Sequence, residues 1–69
     1  MAKALRLNDK VTSKAFGNGE IVDIIKTPKG TMLEVQFDEG IMIYSDKGYY
    51  CKELNNSNVK QDSITKRSN

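Results

Sequence analysis

Apolar and polar residues alternate along several short stretches of this chain. In residues 32–37 the alternation places Leu33, Val35 and Phe37 on one face of an extended strand. Residues 20–26 are rich in β-branched side chains, which crowd a helix and suit a pleated strand. No stretch of helical length shows an apolar stripe at intervals of three and four residues. The pattern therefore predicts an all-β protein.

Turn-forming residues separate the predicted strands at intervals of about ten residues. The predicted strands cover residues 10–13, 20–26, 32–37, 41–44 and 49–54, the last being either a strand or a single helical turn. Short strands with one apolar face each would leave open edges in a flat sheet. We therefore predict a small, five-stranded antiparallel barrel. Its predicted core consists of Val11, Val22, Ile24, Leu33, Val35, Phe37, Ile43 and Leu54.

The formal net charge of +2 comes from the last part of the chain. Residues 1–54 contain eight Lys or Arg and eight Asp or Glu, so this part is neutral. Residues 55–69 are mostly polar and carry three cations against a single acid. Such a segment buries too little apolar surface to offset the entropy lost on ordering. We therefore predict a barrel domain at residues 1–54 and a disordered, basic tail at residues 55–69.

The composition argues against catalysis. The chain has no histidine and one cysteine, Cys51, so it lacks the commonest general base and the ligands of a thiolate-rich zinc site. A chain of 69 residues forms one small domain at most. We predict no enzymatic activity, no catalytic residue, no metal site and no cofactor. No apolar run is long enough for a signal peptide or a membrane span, which predicts a cytoplasmic protein.

The loop Phe16-Gly17-Asn18-Gly19 raises the question of phosphate binding. Phosphate-binding glycine loops connect a strand to a helix, whereas a β-branched strand follows this loop. The loop also lacks the full glycine spacing of the dinucleotide fingerprint and the Gly-Lys-Ser/Thr ending of a Walker loop. A structural role as a turn is the better interpretation.

The segments DKVTSKAFGNGEIVDI and LEVQFDEG together resemble the Tudor-like, SH3-like domain at the C terminus of UvrD/PcrA-type helicases. They resemble more loosely the RNA-polymerase-interacting domain of CarD-type regulators and the KOW modules of elongation factors. The resemblance covers residues 8–54 and implies an SH3-like barrel that binds partners in transcription or DNA repair. In such a barrel Gly17 and Gly19 let the loop bend sharply, and Phe16 covers one open end.

Apolar residues left over from the predicted core indicate a protein-binding face. Methionine and aromatic residues are enriched at such interfaces. The predicted face consists of Met32, Met42, Tyr44, Tyr49 and Tyr50. Either Tyr44 or Tyr49 could instead close the second end of the barrel. With the resemblance, this face predicts a small accessory protein that docks in trans on a transcription, replication or repair assembly such as RNA polymerase. The small size and the Lys, Asn and Ile content suit a protein of a bacterium or its phage.

Two alternatives remain open. Nucleic-acid binding would use scattered cations, namely Lys10, Lys14, Lys26, Lys29, Lys47, Lys60, Lys66 and Arg67. Acids interleaved with these cations weaken the attraction to a polyanion. Self-association through a strand edge or an apolar patch is the other alternative, because small barrels can gain stability in this way.

Overall fold

The computed structural model describes residues 5–67. Its elements are β1 (Lys10–Ser13), β2 (Gly17–Thr27), β3 (Gly30–Phe37), β4 (Gly40–Ser45), a 3-10 helix (Lys52–Leu54) and β5 (Ile64–Lys66). Every strand pairing is antiparallel, and the sheet order is β4-β3-β2-β1-β5. The predicted five-stranded, all-β fold is confirmed: four strands form a meander and β5 returns beside β1, as in an SH3-like barrel. No helix in the described range is long and apolar enough to cross a membrane.

The segment after β4 closes the sheet into a barrel. One side of residues 48–51 pairs with β4, where the Ser45 amide donates to the Tyr49 carbonyl at 2.7 Å. The other side pairs with the chain just before β5, where the Tyr50 amide donates to the Asp62 carbonyl at 2.9 Å. These bonds connect the two outermost strands of the sheet, so backbone groups that would be open edges are paired.

A β-bulge bends the long strand β2. The first part of β2 pairs with β1, and the rest pairs with β3. Ile21 lies opposite Val35 and Asp23 lies opposite Glu34, so Val22 is the extra residue. The bulge changes which side chains face inward. Ile21 is fully buried and Val22 is 40% exposed, which corrects the prediction that Val22 is a core residue.

The core consists of Val11, Ile21, Leu33, Val35, Phe37, Tyr44 and Ile64. The prediction is confirmed for Val11, Leu33, Val35 and Phe37, and Ile24 packs against this cluster from a partly buried position. The core prediction is wrong for Leu54, which is 57% exposed. Ile43 is only half-buried and does not belong to the core. The core therefore includes one residue from the predicted tail and one from the predicted binding face.

β4 turns the opposite face inward from the one predicted. Residues that lie directly opposite each other in an antiparallel pair share a face of the sheet. Tyr44 lies opposite Leu33 and Met42 lies opposite Val35, so both point toward the core. Ile43 consequently points outward. The alternation alone predicted the wrong face because both sets of alternating residues are apolar, and methionine and tyrosine can also fill core positions.

Residues 55–67 belong to the barrel, so the predicted disordered tail and the domain boundary after residue 54 are corrected. β5 pairs with β1, with Ile64 opposite Ser13. Ile64 is 5% exposed and packs into the core. Ile64, one of the two aliphatic residues of this polar segment, anchors it in the core, and β1 offers a backbone edge for pairing. Residues 68–69 lie outside the described range.

The β1–β2 loop packs against the core through Phe16. The ring centroid of Phe16 lies 5.3 Å from that of Phe37 and 6.0 Å from that of Tyr50. Gly17 has a φ of +82°. At Gly19 a Cβ atom would come within 2.6 Å of the Phe37 ring, so this position requires a residue without a side chain. The glycines therefore serve the packing of the loop.

Gly19→Ala is expected to lower the free energy of unfolding by about 1–3 kcal/mol, because the Phe37 ring or the Gln36 carbonyl must move. Urea denaturation followed by circular dichroism measures the change. Asn18→Ala, at the exposed neighbouring position, is the matched control and should change stability by less than about 0.5 kcal/mol. A Gly19→Ala variant as stable as the wild type would contradict the close contact with Phe37.

Candidate functional site

An open groove lies between the β2–β3 hairpin and the 3-10 helix. It has a volume of about 530 Å³ and is lined by Lys29, Met32, Tyr50, Cys51, Lys52, Glu53 and Leu54. We refer to these seven residues as the Met32 groove. Leu54 is 57% exposed although it is a large apolar residue. The groove therefore presents apolar surface that a partner could cover.

Strand alternation and one helical turn bring the apolar side chains of the groove together. Leu33 is buried, so Met32 points outward from β3. The Leu54 amide donates to the Cys51 carbonyl at 3.0 Å, which closes the single turn that carries both residues. The Cys51 Sγ atom lies 3.7 Å from Met32 Sδ. This sulfur contact joins the strand side of the groove to its helical side.

Asn55 attaches the helical turn to the edge of β4. Its side-chain oxygen accepts a hydrogen bond from the Ile43 amide at 2.8 Å. Its side-chain nitrogen donates to the carbonyls of Ile43 at 2.9 Å and Cys51 at 3.0 Å. One amide side chain therefore pairs the Ile43 amide and adds a second hydrogen bond to the carbonyls of Ile43 and Cys51, which also accept from the amides of Cys51 and Leu54.

The Tyr50 ring forms a rigid part of the groove wall. Its centroid lies 5.5 Å from that of Tyr44 and 6.0 Å from that of Phe16. Its hydroxyl hydrogen-bonds with the Ser57 hydroxyl. Because the ring is held from both ends, a partner would meet a preformed surface and would not have to order this side chain on binding.

Charges border the apolar surface of the groove. Lys29 and Lys52 contribute two cations and Glu53 contributes one anion. Burial raises the pKa of the Cys51 thiol, and the charge of Glu53 raises it further. The thiol is therefore neutral at physiological pH, and only its thiolate would be a nucleophile or a metal ligand. Within residues 5–67, no three His, Cys, Asp or Glu side chains are grouped to hold a metal ion.

The structure separates the five residues of the predicted protein-binding face. Met32 and Tyr50 line the Met32 groove, and Tyr49 is 63% exposed. Tyr44 is fully buried, and Met42 packs against the core. The prediction of one exposed patch is therefore corrected. Of the two tyrosines for which a structural role was the alternative, Tyr44 has that role, because β4 turns it inward.

The predicted cations lie on separate elements of the barrel. Lys26 and Lys29 are on the β2–β3 hairpin. Other loops and strands carry Lys10, Lys14, Lys47, Lys60, Lys66 and Arg67. Two of the eight are in ion pairs, Lys10 with Glu20 at 2.6 Å and Lys66 with Asp9 at 3.5 Å. The predicted cations do not come from one continuous segment of the chain. The charges of Lys10 and Lys66 are already balanced by acidic side chains.

Asp62 forms a polar cluster with two hydroxyl groups. The Tyr44 hydroxyl donates to Asp62 Oδ2 at 2.6 Å, and the Ser13 hydroxyl donates to the same atom. The Ser13 oxygen in turn accepts hydrogen bonds from the amides of Ala15 at 3.1 Å and Phe16 at 3.0 Å. No buried side-chain oxygen or nitrogen in the described range lacks a partner. These contacts indicate a structural role for the cluster.

Burial alone would raise the pKa of Asp62. Hydrogen bonds from the Ser13 and Tyr44 hydroxyls, and from the amides of Ser63 and Ala15, outweigh burial and lower the pKa below its usual value. Burial also raises the pKa of Tyr44, as does its hydrogen bond to Asp62. The pair therefore consists of a charged acceptor and a neutral donor at neutral pH.

Sequence reasoning missed the role of Leu54 and Asn55 in the groove. Leu54 was predicted to be in the core, and Asn55 was predicted to begin the tail. The sequence could have indicated this role through the helical turn predicted as one option for residues 49–54. In a 3-10 helix, side chains three residues apart lie on the same side. That spacing places Leu54 on the same side as Cys51 and turns both toward the groove.

Comparisons of the chain with protein-family models, with curated proteins and with solved structures found no match. The resemblance to helicase-type Tudor domains and to CarD-type and KOW modules therefore stays a prediction. It is based on the glycine loop around Gly17 and Gly19 and on the segment from Leu33 to Asp38.

Asp62→Asn is expected to lower the free energy of unfolding at neutral pH by about 1–3 kcal/mol, because the charged acceptor is lost. The pKa of Asp62 is lowered by folding, so its contribution is present above the unfolded value near 3.8 and lost as the pH falls through the folded value. The difference between wild type and variant should therefore shrink below about pH 4.

Urea denaturation at a series of pH values between 7 and 2 measures this difference. Asp38→Asn, which changes an exposed carboxylate in the β3–β4 turn, is the matched control and should have little effect. A difference for Asp62→Asn that stays constant down to pH 2 would contradict the lowered pKa.

Proposed function

We propose that this chain is a non-enzymatic, cytoplasmic protein-interaction module that binds a segment of a larger assembly in the Met32 groove. The observation that carries the proposal is the exposure of Leu54 beside Met32 and Tyr50 in a groove of about 530 Å³. A transcription or DNA-repair assembly, with RNA polymerase first, is the partner that the sequence resemblance implies. The groove would bind this partner through apolar contacts, with charged side chains along its border.

Small apolar grooves bind protein segments by receiving one or two anchor side chains. Methionine suits this role because its flexible thioether adapts to different shapes. Tyr50 provides a fixed wall, since its ring packs on Phe16 and Tyr44. The groove thus combines an adaptable side with a rigid side. Leu54 would lose unfavourable contact with water when a partner covers it.

The packing of the tyrosines favours protein binding over nucleic-acid binding. Single-stranded nucleic acids bind through aromatic rings whose faces are open for stacking. Tyr44 is fully buried and Tyr50 is packed against two other rings, which leaves Tyr49 as the exposed tyrosine. The ion pairs of Lys10 and Lys66 further reduce the charge available to a phosphate backbone.

Leu54→Ala combined with Met32→Ala is expected to weaken binding to purified bacterial RNA polymerase by about tenfold or more, because both anchor contacts of the groove are lost. Biolayer interferometry with the immobilised chain measures the affinity. Leu7→Ala is the matched control, since Leu7 is similarly exposed, at 50%, and does not line the groove. Circular dichroism should show that all variants remain folded.

Capture from a nuclease-treated lysate, followed by mass spectrometry, extends the test to other assemblies. The groove variant should lose the partners that the wild type and Leu7→Ala retain. Equal binding by the groove variant and the wild type would contradict the proposal. Loss of all partners after nuclease treatment would instead support nucleic acid as the ligand.

A further inference from the structure

The sheet formed by β2, β3 and β4 presents aliphatic side chains on its outward surface. Leu33 and Val35 point into the core, so Glu34 between them points outward. The residues opposite Glu34 on the neighbouring strands, Asp23 and Ile43, lie on the same surface. We define the outer face by six residues of these strands, Val22, Asp23, Ile25, Glu34, Ile41 and Ile43.

Three aliphatic residues of the outer face are well exposed. Val22 is 40% exposed, Ile25 is 37% exposed and Ile41 is 49% exposed. The bulge in β2 turns Val22 outward, and the inward orientation of Tyr44 places Ile41 on the outer side of β4. These three β-branched residues place aliphatic surface on the solvent side of one sheet. Such a surface is typical of a contact with a partner.

Two carboxylates lie among these aliphatic residues. Asp23 and Glu34 are directly opposite each other on β2 and β3, a pairing in which like charges repel. The salt bridges within residues 5–67 join Lys10 to Glu20 and Lys66 to Asp9, and they include neither acid of the outer face. A cation from outside the described chain would relieve the repulsion.

We propose that the outer face binds a protein segment that presents a lysine or arginine between aliphatic side chains. The cation lies between the carboxylates of Asp23 and Glu34, and the flanking side chains cover Val22, Ile25 and Ile41. Covering the aliphatic residues removes water from around the ion pairs and strengthens them. Arginine suits the site particularly well, because its planar guanidinium can donate to two carboxylates at once.

The same charges disfavour the other candidate occupants. A second copy of this chain placed with its outer face on this one would bring the four carboxylates of two Asp23–Glu34 pairs together. A nucleic acid would bring its phosphates toward the acid pair. The outer face therefore selects a basic partner segment. It adjoins the Met32 groove, because Ile25 lies directly opposite Met32.

Selection of random twelve-residue peptides displayed on phage against the immobilised full chain tests the inference. The expected result is enrichment of peptides in which lysine or arginine is flanked by valine, isoleucine or leucine. A synthetic peptide of the enriched sequence should shift the amide signals of residues 22–25, 34 and 41–43 in spectra of the ¹⁵N-labelled protein. Its affinity should fall with added salt, as expected for ion pairs near a surface.

The variant Asp23→Asn with Glu34→Gln should weaken binding of this peptide by about tenfold. The matched control is Asp38→Asn with Glu39→Gln, which removes two exposed acids from the β3–β4 turn and should leave the affinity within about twofold. The variant Leu54→Ala should also leave it unchanged, which distinguishes the outer face from the helical side of the adjoining groove.

Three results would overturn the inference. One is that no selected peptide shifts the signals of the outer face. Another is that both double variants weaken binding equally, because net charge would then explain the effect. The third is a concentration-dependent dimer, detected by sedimentation, that is abolished by Ile41→Asp, because the occupant would then be a second copy.

Discussion

The Asp62 carboxylate holds the last part of the chain on the barrel. It accepts hydrogen bonds from Ser13 on β1 and Tyr44 on β4, two strands that are not neighbours in the sheet. Charged acceptors in partly buried positions form stronger hydrogen bonds than neutral ones. Two residues later, Ile64 enters the core and β5 pairs with β1. The Asp62 carboxylate and the Ile64 side chain therefore fix the last part of the chain to the barrel, in addition to the backbone hydrogen bonds of residues 48–51.

The hydrogen bond between Tyr44 and Asp62 also requires one orientation of β4. Tyr44 must point inward to reach Asp62, and the period of two along a strand then turns Met42 inward as well. Ile41 and Ile43 consequently face outward, although they are the more hydrophobic residues of the strand. The aliphatic character of the outer face thus follows from the way in which the barrel is closed.

A domain of this size has limited capacity to bury apolar side chains. The rings of Phe16, Phe37, Tyr44 and Tyr50 form a chain of contacts through the interior, with centroid separations between 5.3 and 6.1 Å. Except for Leu7 and Tyr49, the large apolar residues that remain exposed lie on two adjoining surfaces of different charge. The Met32 groove is bordered by two lysines and one glutamate, whereas the outer face has a pair of carboxylates. The two surfaces are therefore suited to different segments of a partner.

The sequence by itself determined the all-β class, the first four strands and the core residues Val11, Leu33, Val35 and Phe37. These features follow from local alternation and turn residues, because the period of two is a property of the extended backbone. It also placed Met32 and Tyr50 on the predicted binding face, and both line the Met32 groove. Only the tertiary structure decided the bulge at Val22, the inward face of β4 and the place of residues 55–67. Each of these depends on pairing between residues far apart in the chain, and local alternation carries no information about such pairing.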